Sequence, residues 1–295
     1  IGGASMGLNI VFGIDTTTAA AISGILGILL FTSPKMGGVL DNTAKVLGTV
    51  MLVLIGYVAF STNPPVAEAA THAIVPTNYP WLATITLIGG TVGGYITFSG
   101  GHRLIDAGIT GREHLKDVRR AAFMGMSVDA IVRILLFLAV LGVVSMGFAL
   151  DPKDPAGSAF LLGAGEIGHK LFGIVFFCAA LTSVVGAAYT SVSFLKTLFK
   201  VVERYEKLTI MAFIFVSTCI LIFIGKPATL LIVAGSVNGL ILPVTLAVML
   251  LATRKTNIVG DYKHNPVLFY TGWIVVLVTA YIGVTSLQGI AKLLG

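Results

Sequence analysis

Ile88-Gly89-Gly90-Thr91-Val92-Gly93-Gly94-Tyr95-Ile96-Thr97-Phe98-Ser99-Gly100-Gly101 places three Gly-Gly pairs in and at the edge of one apolar run. Each glycine weakens a helix by about 1 kcal/mol relative to alanine. A run long enough to cross a membrane should therefore be broken here. Non-helical backbone survives at membrane depth only when it is buried in protein or lines a cavity. Interrupted spans of this kind present carbonyls and helix ends to a substrate near the bilayer midplane. Small residues also let two helices approach closely. Thr91, Thr97 and Ser99 beside the glycines favour a polar cavity.

Outward from this stretch the chain remains apolar. Of its 295 residues 56% are hydrophobic and 11% charged, against roughly 25% charged in a soluble domain. So few charges cannot cover a water-exposed surface. Apolar runs near Thr18–Thr32, Ala44–Ser61, Trp81–Ser99, Ala121–Phe148, Phe160–Leu195, Leu208–Gly225, Leu230–Ala252 and Leu268–Leu287 predict about eight complete spanning helices, each needing about 20 mostly apolar residues. Residues Ile1–Gly13 read as the end of a further helix. With Ile1 first, no charged n-region and no cleavage site, the opening segment is not a signal peptide. It reads as a truncated N-terminus.

Basic residues alternate from one connection to the next. Arg103, Arg112, Lys116, Arg119 and Arg120 follow the third run, Lys196, Lys200, Arg204 and Lys207 the fifth, and Arg254, Lys255 and Lys263 the seventh. The intervening connections are nearly empty, and Ser61–Pro80 has no Lys or Arg. This asymmetry predicts a multi-pass protein of the inner (plasma) membrane with its basic loops in the cytoplasm. The excess of cations lies between apolar spans and forms no basic face, so nucleic acid is not an expected partner. The expected partners are the lipid bilayer and a transported cation or small solute. Cys178 and Cys219 lie inside apolar runs and read as buried thiols.

Ionisable and polar groups within the spans are the functional candidates. Asp129 and Arg133 share a helix face at i,i+4 spacing, as a structural ion pair or as members of a proton relay. Glu166 and His169 match one copy of the Glu-x-x-His pattern of metal-binding bundles, which use two; beside Lys170, snorkelling to the interface explains them better. Thr182-Ser183 and Tyr189-Thr190-Ser191 form a polar strip, with Gly186 suited to close approach. Asn238 is a lone amide mid-span near Pro243, serving interhelical hydrogen bonding or substrate coordination. No Ser-His-Asp set, phosphate-cradling loop or zinc-protease helix is present, so no catalysis and no cofactor are expected.

These motifs, in this order, resemble the Nramp divalent-metal transporters, in a divergent bacterial branch. Ile1-Gly2-Gly3-Ala4-Ser5-Met6-Gly7-Leu8-Asn9-Ile10-Val11-Phe12-Gly13 is similar to the end of the family's third helix. The glycine-rich run falls at the sixth, Leu181-Thr182-Ser183-Val184-Val185-Gly186 at the centre of the eighth, and Asn238 to Pro243 in the tenth. The resemblance implies the LeuT-like fold of two inverted five-helix repeats, with residues 1–295 one transporter domain running from the end of helix three through helix eleven. It implies a metal site between broken helices one and six, and alternating access. The family's Met-Pro-His-Asn of helix six is matched by Gly93, Gly94, Tyr95 and Ile96, so the soft thioether that selects transition metals is missing. Oxygen ligands favour a hard cation such as Mg²⁺. The implied substrate site is Gly93, Gly94, Tyr95, Thr97, Asn238, Thr182 and Ser183. Proton-relay candidates are Asp129, Arg133, His102 and Asp106. An amino-acid or other organic solute carrier of the same fold, and an ion channel, are the alternatives.

Overall fold

The computed structural model describes residues 1–32, 34–93, 101, 104, 105 and 107–294. Among the described residues twelve helices follow in order: α1 (Gly2–Phe12), α2 (Thr16–Thr32), α3 (Pro34–Ser61), α4 (Val66–Ile74), α5 (Trp81–Val92), α6 (Leu115–Ser145), α7 (Pro155–Leu198), α8 (Lys200–Arg204), α9 (Glu206–Ile224), α10 (Pro227–Ala252), α11 (Thr256–Val259) and α12 (Pro266–Leu294). Among the described residues there is no strand. Five of the helices (α6, α7, α9, α10 and α12) are long and apolar enough to cross a membrane, and only 17–28% of the most apolar window of each is buried within the protein. The remaining apolar surface faces outward, which is stable against hydrocarbon and not against water.

Three predicted spans are shorter or differently bounded than their hydropathy suggests. Within the run over Trp81–Ser99, helix α5 ends at Val92, where the chain turns out of the helix at Gly93. Helix α2 has 17 residues and is bent by 119° from α1. Gly13 makes that corner possible with φ 66°, and its N–H closes α1 on Asn9 O at 2.8 Å. The run over Phe160–Leu195 belongs to a 44-residue helix interrupted at Gly165, whose φ of 68° and ψ of −170° are not helical.

The chain divides into two compact units. The first holds Ile1–Thr77 and Gly108–Ala228, the second Asn78–Ala107 and Thr229–Gly295. Lipid is as apolar as leucine, so helices associate in a membrane through close packing and hydrogen bonds. Small residues supply the close packing in the first unit. A Cβ added to Gly7 of α1 would lie 2.7 Å from Phe177 N and 2.8 Å from Gly173 O of α7. One at Gly24 of α2 would collide with the Thr218 side chain of α9, and one at Gly142 of α6 with Thr62 at the end of α3. Around these seams, Ile55, Val58, Val143 and Phe160 are buried, with Phe160 stacked on Phe172 at 4.5 Å. In the second unit, Trp81 of α5 meets Tyr281 of α12 edge-on at 5.6 Å.

Candidate functional site

The second unit holds the break and the amide that the sequence singles out. Helix α5 ends as Gly93 N–H donates to Gly89 O at 3.1 Å, and Gly93 then takes φ 64° and ψ 112°. That left-handed φ admits glycine and strains any residue with a Cβ. Gly101, Leu104 and Ile105 are helical. Gly94, Tyr95, Thr97, His102 and Asp106 lie outside the described residues.

One turn before the break, α5 is pressed against α10. A Cβ on Gly89 would fall on Gly235 O and Gly239 N. In return, a Cβ on Gly239 would lie 2.5 Å from Ile85 O, and one on Gly235 2.9 Å from Thr86 O. Gly235 and Gly239 form a small-xxx-small pair, the spacing that puts both on one helix face. Both readings of the glycine run are therefore realised on successive turns: Gly89 packs, and Gly93 breaks.

A hydroxyl pair pins the same crossing. Thr86 Oγ1 and Ser236 Oγ are 2.7 Å apart, and they also lie 2.7 and 2.8 Å from Leu82 O and Ile232 O. Two hydroxyls supply two hydrogens for three short contacts. Whichever donates across the interface gives up its own backbone bond. Asn238, half-buried on α10, adjoins Gly239 and so sits beside the crossing. No described residue hydrogen-bonds its amide.

The other candidates belong to the first unit. Thr182 and Ser183 both donate to Ala179 O, at 2.8 and 2.9 Å. Their hydrogens are thereby occupied and their oxygen lone pairs remain available. Deeper in the same helix, Thr190, Ser191 and Ser193 are buried. Gly186 makes no close approach: a Cβ there would meet nothing within 4 Å. Asp129 and Arg133 form an ion pair, Nε to Oδ2 at 2.7 Å, with both side chains partly exposed on α6.

Glu166 and His169 do not act as a pair. His169 Nε2 instead approaches Asp154 Oδ2 at 3.9 Å. In a straight helix, residues fifteen apart would be separated by more than 20 Å at 1.5 Å per residue. The kink at Gly165 folds the start of α7 back over its continuation and brings the two together. Asp154 caps α7, accepting Gly157 N–H at 2.9 Å. Burial is the largest influence on its carboxyl and raises its pKa, opposed by the Gly157 N–H and by His169. The cap was visible in the sequence as Asp154-Pro155, an N-cap residue followed by proline at the first helical position; its partner was not. Among the described residues no group of three or more His, Cys, Asp or Glu side chains is placed to hold a metal ion.

An all-helical chain with five helices long and apolar enough to cross a membrane is, by class, a polytopic membrane protein. The chain belongs to the Nramp family (natural resistance-associated macrophage protein-like), whose profile it matches over residues 1–288, and so to a family of metal-ion transporters. It is 50% identical over 280 residues to an uncharacterized membrane protein of Haemophilus influenzae, covering 95% of this chain and 70% of that protein. It is 49% identical over 287 residues to the uncharacterized membrane protein YcsG of Bacillus subtilis, covering 97% of this chain and 71% of that protein.

Proposed function

We propose that the protein moves a hard divalent cation of the Mg²⁺ class across the inner membrane by alternating access, with its basic loops cytoplasmic and protons as the candidate coupling ion. The observation that carries this reading is the end of α5 at Gly93. A helix C-terminus gathers carbonyl oxygens and about half a negative charge, which suits a cation and repels an anionic substrate group. The conformation of Gly93 adds to it. At φ 64° a methionine is costly at the position where the family carries its thioether, so the ligands offered there are oxygens, and oxygen donors suit hard cations.

Gly93 and Asn238 form the core of the proposed site, with Gly94, Tyr95 and Thr97 continuing it along the chain. The resemblance adds Thr182 and Ser183 as further substrate-binding residues and Asp129, Arg133, His102 and Asp106 as proton-relay candidates. Mn²⁺ or Fe²⁺ remains the substrate to compare, since softer donors on other parts of the chain would favour them.

The test is influx of Mg²⁺ and Mn²⁺ into proteoliposomes, with internal pH recorded. Saturable Mg²⁺ influx that exceeds Mn²⁺ influx, and falls in Asn238→Ala, is expected. A preference for Mn²⁺ would overturn the hard-cation assignment. Absence of flux for either metal above empty liposomes would move the substrate to an organic solute.

A further inference from the structure

Helix α4 has no residue buried in the protein, yet six of its nine residues are apolar. Its polar residues Glu68, Thr71 and His72 are spaced i, i+3, i+4, so they share one face. Two of them, Glu68 and His72, line with Ala69 and Ala73 an open groove of about 420 Å³ against Phe137, Leu141 and Val144 at the end of α6. The opposite flank carries Val66, Ala67, Ala70 and Ile74 and is exposed among the described residues; Ile74 is 83% exposed and Val66 54%. A valine or isoleucine left in water forgoes the favourable transfer of its apolar surface, so this flank calls for an apolar cover.

The geometry specifies which cover. The part of α3 over Val46–Ser61 and α4 meet at 102°. If α3 runs along the bilayer normal, α4 lies nearly in the membrane plane. The corner holding that angle is fixed. Thr62 is buried, donates to Val58 O at 2.7 Å and fills the space left by Gly142 of α6. Asn63 takes a positive φ of 48°, and Pro64-Pro65 follow. Five residues beyond α4, Tyr79 stacks on Trp81 at 5.2 Å, aromatic residues of the type that collect at the membrane–water boundary.

We propose that α4 is an interfacial helix that rests its Val66–Ala67–Ala70–Ile74 flank in a phospholipid surface, on the membrane side opposite the basic connections. The lipid it fits is zwitterionic. Ser61–Pro80 has no Lys or Arg, and Glu68 would be repelled by anionic headgroups. Helix α4 thereby fixes the depth of the α3–α6 corner in the bilayer.

Spin labels placed singly at Ala67→Cys, Ala70→Cys, Thr71→Cys and Ile74→Cys, in a Cys178→Ala/Cys219→Ala background in phosphatidylcholine liposomes, test this. Collision rates with oxygen, which partitions into hydrocarbon, and with a water-soluble nickel chelate give each label's depth. Labels at 67, 70 and 74 are expected about 5–10 Å below the headgroups, with several-fold higher oxygen-to-nickel ratios than the label at 71. Exchanging part of the lipid for phosphatidylglycerol should not deepen them. Four positions read one periodic pattern, so no single variant decides the outcome. Equal nickel access at all four positions would place α4 in water and overturn the proposal. Shielding of 70 and 74 from both reagents would reveal a protein cover, and deepening that requires phosphatidylglycerol would reverse the lipid assignment; either also overturns it.

Discussion

Replacing Gly89 by alanine adds one methyl group at the point where α5 and α10 touch through their backbones. That methyl would fall on Gly235 O and Gly239 N. Both are main-chain atoms, so no side-chain rotation relieves the overlap and the helices must separate. Overpacking of this kind costs about 1–3 kcal/mol, and the unyielding neighbours put Gly89→Ala toward the upper end. Alanine returns about 1 kcal/mol through helix propensity, leaving a net loss of about 1–2 kcal/mol. The adjacent residue supplies the control, since a Cβ on Gly90 meets nothing within 4 Å. Gly90→Ala carries the same propensity gain with no collision and should be neutral or more stable by up to about 1 kcal/mol. The difference between the variants isolates the contact term at about 1–3 kcal/mol. Thermal unfolding of both in one detergent, followed by helical circular dichroism, measures it, with Gly89→Ala expected to melt lower and Gly90→Ala level with or above the parent. Coincident melting curves for the two variants would refute the packing argument, and with it the idea that the seam supports the break at Gly93.

Three further outcomes are expected. Gly93→Ala must hold a Cβ at positive φ, a strain of about 1–2 kcal/mol; it should fold but lose most cation uptake in the liposome assay, whereas retained uptake would detach the break from transport. A double-mutant cycle of Thr86→Val and Ser236→Ala should give a coupling near 0.6 and no more than about 1.7 kcal/mol, measured by the same melts, because each hydroxyl can revert to its own backbone bond. At the start of α7, Asp154→Asn keeps an equally good N-cap while removing a half-buried charge, and Asp154→Ala should cost about 0.5–2 kcal/mol. Because burial raises the Asp154 pKa from 3.8, the folded protein binds this proton more readily than the unfolded chain. The parent should therefore gain stability as pH falls through the raised value towards 3.8. Melts against pH should show Asp154→Asn level with or above the parent at neutral pH, with any advantage shrinking as pH falls.

Much of the fold was legible because hydropathy and helix-breaking are local properties. A run of apolar residues sums to a span whatever surrounds it, and the glycines foretold the interruption that falls at Gly93. The site was less legible. Glu166 and His169 match one copy of Glu-x-x-His and read as snorkelling residues, but a fold-back at Gly165 brings His169 to Asp154. Gly186 resembled Gly89 in sequence, yet one faces open space and the other a neighbouring backbone. Periodicity cannot separate them, since it records which face a residue occupies and not what stands opposite.

Sequence alone therefore determined the membrane environment, the all-helical class, the family resemblance and the neighbourhood of the break. Tertiary structure decided which glycines are contacts and which are hinges, joined Thr86 to Ser236 across 150 residues, and turned α4 at 102° from the span before it. The physical reason is range. Apolar transfer and backbone propensity act within a few residues and add along the chain, whereas a close approach or a hydrogen bond between helices exists only after both have been placed.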